Sequence, residues 1–112
     1  MKIPLKTLAA ACALLFATSL FAAGEEMFER KLEQAKGGDL EAQYYIGYRY
    51  EKGRGVDEDE HQAFRWYLNA AQLGLAKAQY KVGLFYLEGR GTDTDEDQAK
   101  IWLQKAADQD YP

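Results

Sequence analysis

The chain of 112 residues has one cysteine, Cys12, one histidine, His61, and one serine, Ser19. Each scarcity removes a class of chemistry. A lone cysteine forms no disulfide within the chain, so the fold must rest on packing. A lone histidine with no cysteine or second histidine beside it gives no zinc-ligand set, and His61 reads as an exposed first-turn residue. Beyond Ser19 a histidine-activated nucleophile would fall to Thr92 or Thr94. Carboxylates are plentiful, yet no spacing marks one as sunk in a cleft for acid–base work. The expectation is a protein without catalysis, metal or cofactor.

What is present begins with a greasy N terminus. Lys2 and Lys6 precede an apolar run from Leu8 to Phe21, broken only by Thr18 and Ser19, and small residues follow. This is the layout of a secretory signal peptide, and the run falls short of the roughly 20 apolar residues of a membrane span. Cleavage is expected at residue 23, although that puts Phe21 where a small residue is usual, and Ala17-Thr18-Ser19 fits the small-x-small rule better. Retention as an anchor and lipidation at Cys12 are the lesser readings. Leu8 stands four residues before Cys12, where a lipoprotein site has leucine three before.

Removing residues 1–23 takes Lys2, Lys6, Cys12 and Ser19 with it, leaving 12 basic against 18 acidic residues, a formal charge of −6. So acidic a surface argues against nucleic acid and anionic lipid as partners. A periplasmic or secreted protein with no membrane insertion after cleavage is expected.

The rest of the chain repeats itself at an offset of 36 residues. Ala42 falls on Ala78, Gly47 on Gly83, Tyr50 on Tyr86, Gly53 on Gly89 and Gly55 on Gly91. Ala63 falls on Ala99, Trp66 on Trp102, and Ala70-Ala71 on Ala106-Ala107. Within a unit, Ala42, Ile46, Gly47 and Tyr50 share one face of a helix, as do Ala63, Trp66, Ala70 and Ala71 of a second helix; the alternation of a strand is missing. The glycines between them suit the positive φ that ends a helix. Asp59 three before Gln62, and Asp95 three before Gln98, resemble capping boxes that open the second helix. Each unit is therefore an α-hairpin, and small residues on its faces let hairpins stack into an all-α, short α-solenoid. Ala35 and Gly38 lie 36 before Ala71 and Gly74. The stretch from Glu25 to Lys36, charged on one side with Phe28, Leu32 and Ala35 on the other, then reads as a lone capping helix. The division is residues 1–23 signal peptide, 24–41 capping helix and linker, 42–77 first repeat and 78–112 second repeat.

The pattern A-x-x-x-[ILV]-G-x-x-Y-x-x-G-x-G-V-x-x-D-x-x-x-A-x-x-W-x-x-x-A-A resembles the Sel-1-like repeat, a relative of the tetratricopeptide repeat. Thr92 departs from it where the first unit has Val56. Asp110 replaces the glycine predicted by Gly74, which implies a less regular end to the last helix, or a chain cut just before another unit.

The resemblance implies a concave surface that holds a protein or peptide. Tyr44, Tyr48 and Glu51 would lie on it, joined one unit later by Lys77, Tyr80, Leu84 and Leu87, with tyrosine giving wide contact at low entropic cost. Tyr44 and Tyr80, identical in both units, also suit plain packing between helices. Tyr48, Leu84 and Leu87, where the units differ, suit partner contact. If Pro112 is the true end, Ile101, Leu103 and Ala106 would lack a neighbour, which points to a homodimer or docking edge.

Two alternatives remain. An acidic immunity or inhibitor protein would neutralise a basic toxin. An enzyme would be a β-lactamase or cell-wall hydrolase; some cysteine-rich secreted relatives have been called β-lactamases, but the serine and the disulfide framework are missing here. Asp93, Asp95 and Asp97 match the start of a calcium loop, but Gln98 and Gln104 stand where glycine and glutamate are needed.

Overall fold

A computed structural model describes residues 23–112, so Cys12, Ser19 and the rest of the proposed leader through Ala22 lie outside the described residues. Five helices and no strand occur among the described residues. They are α1 (residues 23–36), α2 (Leu40–Lys52), α3 (Glu60–Gln72), α4 (Ala76–Glu88) and α5 (Glu96–Asp108). The helices α2 and α3 form one hairpin, α4 and α5 a second, and α3 packs on α4 to stack them. The all-α solenoid of stacked hairpins expected from the repeat is what the chain forms.

Aspartates start three of the helices. Asp39, Asp59 and Asp95 accept hydrogen bonds from the backbone N–H of Ala42, Gln62 and Gln98, satisfying donors that the first turn leaves free. Leu75 opens α4 without a side-chain cap. Its own N–H instead donates to the carbonyl of Ala70 in the closing turn of α3. Gly53 and Gly89 end α2 and α4 in the left-handed region, at φ 64° and 68°.

The end of α5 corrects one expectation. Asp110 takes φ 61° where Gly74 takes 104°, and the Tyr111 N–H reaches Ala106 O at 3.1 Å as Leu75 reaches Ala70 at 3.0 Å. The short polar side chain of aspartate tolerates the left-handed region, so α5 closes as regularly as α3.

Gly47 and Gly83 set the spacing within each hairpin. A Cβ on Gly47 would lie 2.8 Å from the Tyr67 ring, and one on Gly83 would lie 2.7 Å from Leu103 Cγ. The bulk of each second helix therefore fills the notch its partner leaves. Between the hairpins, the fully buried Tyr67 meets Phe85 edge-on at 5.6 Å, and Phe64 meets Tyr86 at 5.3 Å. Burial of such side chains stabilises by roughly 1.5–3 kcal/mol each. On the other side, α1 lays Phe28, Leu32 and Ala35 against Ala42, Ile46 and Tyr50.

Candidate functional site

Apart from Glu51, the residues predicted to form one concave face divide into three groups. Tyr44, Tyr48 and Lys77 line an open cavity of about 420 Å³, together with Lys31, Glu41 and Tyr45. Tyr80 packs on Tyr111 at a centroid distance of 5.4 Å. Leu84 is half-buried on α4, and Leu87, 49% exposed, faces solvent near the end of that helix.

Glu51 is a correction. It is only 3% exposed and cannot meet a partner. Its carboxylate accepts from the Tyr67 hydroxyl at 3.2 Å and from Lys81 Nζ at 2.8 Å, with the Arg90 guanidinium 3.8 Å away. The charge is thus satisfied where it is buried, tying α2 and α3 to α4. Burial first, and the adjacent Glu51 charge second, push the Tyr67 hydroxyl well above the ordinary tyrosine range.

The edge at α5 is corrected too. Ala106 is buried, and Leu103 fills the notch at Gly83. Ile101 alone stays open, 48% exposed. The positions that in α3 carry Phe64 and Leu68 against α4 carry Lys100 and Gln104 in α5, both exposed. The docking edge expected at Ile101, Leu103 and Ala106 therefore shrinks to one isoleucine among polar neighbours.

The cavity itself is a tyrosine floor with a cationic rim. Lys77 Nζ sits 4.5 Å from the Tyr44 ring centroid and is paired with Glu41. Lys31 and Arg49 approach the Tyr45 ring at 5.8 and 4.8 Å, and Arg49 also donates to the Tyr45 hydroxyl. Lys52 and Arg54 flank Tyr48 at 6.0 and 5.8 Å. Such cation–ring contacts at exposed sites are worth about 0.5–1 kcal/mol each. Tyr44 leans on Tyr67 at 5.2 Å, and partial burial, ahead of its neighbours' charges, raises its hydroxyl pKa. The arrangement holds rings and cations ready for contact.

Sequence reasoning missed Lys31, Glu41, Tyr45 and the cations Arg49, Lys52 and Arg54. Tyr45 was readable as a position that differs between units, with Lys81 as its counterpart. Lys31 lies in α1 and has no counterpart in the first helix of either unit.

Elsewhere, Asp95 of the acidic run is occupied as the cap of α5, and His61 Nδ1 lies 3.1 Å from the carbonyl of Gly91. Among the described residues no group of three histidine, cysteine or acidic side chains is placed to hold a metal ion.

The Sel1 repeat profile matches residues 40–75 and 76–111. The matched segments begin with α2 and α4. A Sel1 repeat protein from Oxalobacter formigenes shares 39% identity and superposes with a TM-score of 0.66, over 67% of this chain and 22% of its own. A protective antigen of uropathogenic Escherichia coli strains shares 30% identity with a TM-score of 0.70, over 96% of this chain and 26% of its own. The cysteine-rich protein B of Helicobacter pylori, 23% identical, shares the fold at a TM-score of 0.72 over 75% of this chain and 63% of its own. A stretch of 46 residues is 44% identical to a chitin synthase regulator of Saccharomyces cerevisiae, spanning 41% of this chain and 7% of that protein. With two whole repeats matched over most of the described residues, the chain belongs to the Sel1 repeat family.

Proposed function

We propose that the protein is a non-catalytic interaction module of the cell envelope, periplasmic or secreted, that holds a protein or peptide partner on the concave surface of α2 and α4. One observation carries this reading: the open cavity floored by the half-buried rings of Tyr44, Tyr45 and Tyr48, set on a stack of helical hairpins. Tyrosines of this kind give contact area with little entropy to lose. Sel1 repeats are typically protein-binding scaffolds, which supports the same reading. The envelope location rests on the N-terminal sequence, where two lysines precede a short apolar run.

The toxin-neutralising alternative asks for an acidic contact face, whereas this cavity is lined by Lys31 and Lys77, and Arg49 and Arg54 lie against its tyrosine rings. A histidine-activated nucleophile for the enzymatic alternative would fall to Thr92 or Thr94, and neither lines the cavity.

The test is affinity capture from envelope extract with the tagged protein, followed by mass spectrometry. A dominant partner that is lost when Tyr48→Ala and Leu84→Ala are combined, with helicity kept, supports the proposal. A partner retained undiminished by that variant removes the concave face from the account.

A further inference from the structure

The cavity's charge runs against that of the protein. The described residues carry 12 basic and 18 acidic side chains, yet five of the twelve cations, Lys31, Arg49, Lys52, Arg54 and Lys77, crowd the rings of Tyr44, Tyr45 and Tyr48. Helix-dipole compensation accounts for Arg49 and Lys52, which sit in the last turn of α2. It does not account for Lys31 on α1 or Arg54 in the loop. It runs opposite for Lys77, in the first turn of α4, where the dipole disfavours a cation.

The cations also differ in their engagement. Lys81 and Arg90 are tied to Glu51, Glu60 and Glu88, and Lys77 to Glu41. Lys31, Arg49, Lys52 and Arg54 have no carboxylate within ion-pair distance among the described residues. They lie on tyrosine rings instead. A cation held on an aromatic face keeps its outer side free for an anion, and the single carboxylate of the cavity, Glu41, is already matched by Lys77.

From this we infer the class of partner: an acidic segment of another protein, whose carboxylates reach Lys31 in the cavity and Arg54 beside Tyr48, and whose apolar or aromatic side chains lie on Tyr44, Tyr45 and Tyr48. The inference rests on the concave-face reading above and adds the chemistry of what that face selects. Charge complementarity would speed encounter and reject basic segments, while the rings supply the contact area. On an otherwise acidic protein, one basic aromatic face also fixes which side an acidic partner meets.

The test is fluorescence anisotropy with the purified protein and a labelled short peptide of alternating glutamate and phenylalanine, set against the same peptide with lysine for glutamate. Binding of the acidic peptide only is expected, weakening as salt is added. Lys31→Glu combined with Arg54→Glu should weaken it by about tenfold or more, and the charge-matched pair Arg65→Glu with Lys100→Glu should leave it within about twofold. Equal binding of the lysine peptide, or no binding of the acidic one, overturns the inference. Concentration-dependent dimerisation abolished by Lys31→Glu with Arg54→Glu would give the face to a second copy and overturn it too. If a captured partner is lost with Tyr48→Ala and Leu84→Ala but kept with Lys31→Glu and Arg54→Glu, the concave face stands and the acidic class falls.

Discussion

The carboxylate of Glu51 lies 2.8 Å from the ammonium of Lys81, thirty residues further on and in the next hairpin. One partner is buried and the other half-buried, which makes the pair a latch between hairpins whose halves depend on each other. Lys81→Met should leave an under-compensated buried charge and lower unfolding stability by about 3 kcal/mol. In a Glu51→Leu background, where no charge needs a partner, the same change should cost less than about 1 kcal/mol. Urea unfolding of the four proteins in this cycle measures the coupling.

The hydroxyl above that carboxylate sets an alkaline limit. Tyr67 holds its proton in the folded state well above the ordinary value of 10.0, whereas the unfolded chain releases it near there. The folded state then binds one proton more than the unfolded state. The contribution is fully present below pH 10.0 and falls by about 1.4 kcal/mol for each pH unit above it. Tyr67→Phe removes this dependence, so its urea midpoint should fall less steeply between neutral and strongly alkaline pH. An unchanged slope would contradict the assignment.

Two glycines with the same place in the repeat should respond differently to alanine. Gly55 takes φ 79° with nothing near its missing side chain, so Gly55→Ala carries only left-handed strain, about 1–2 kcal/mol. Gly91 takes φ 65°, and a Cβ there would collide with the carbonyl of Glu60. Gly91→Ala should cost about 3 kcal/mol or more, because backbone on backbone has no easy relief. Thermal melts of the two variants separate these costs.

Gly83 and Leu103 should behave as a coupled pair. Gly83→Ala drives a Cβ into Leu103 and is expected to cost about 2 kcal/mol. Adding Leu103→Ala empties that space, so the double variant should lose less than the sum of the single changes. Additive losses would mean that the notch is not the contact that matters.

The repeated letters were legible because each answers a geometric demand met twice. Gly47 and Gly83 make way for a neighbouring side chain, Gly53 and Gly89 end a helix at positive φ, and Asp59 and Asp95 cap the next one. The differing letters were harder, since two causes produce the same signal. Tyr48 against Leu84 suits partner choice. Glu51 against Leu87, and Phe64 against Lys100, instead reflect position in the stack: Glu51 and Phe64 face a following hairpin, and Lys100 faces solvent. One identity was also passed over. Gln43 and Gln79 are both buried and donate to the carbonyls of Ala35 and Ala71, and each accepts in turn from Asn69 and Gln109. A polar residue repeated inside an apolar face was the signal for that tie.

The concave tyrosine face is the centre of the account, and site-specific photocrosslinking tests it most directly. A benzoyl-phenylalanine placed at position 48, in the cells that make the protein, should capture one discrete partner, while the same probe at position 65 on the exposed side of α3 should capture none. Capture at position 65 with none at 48 would place the binding surface elsewhere and contradict the account.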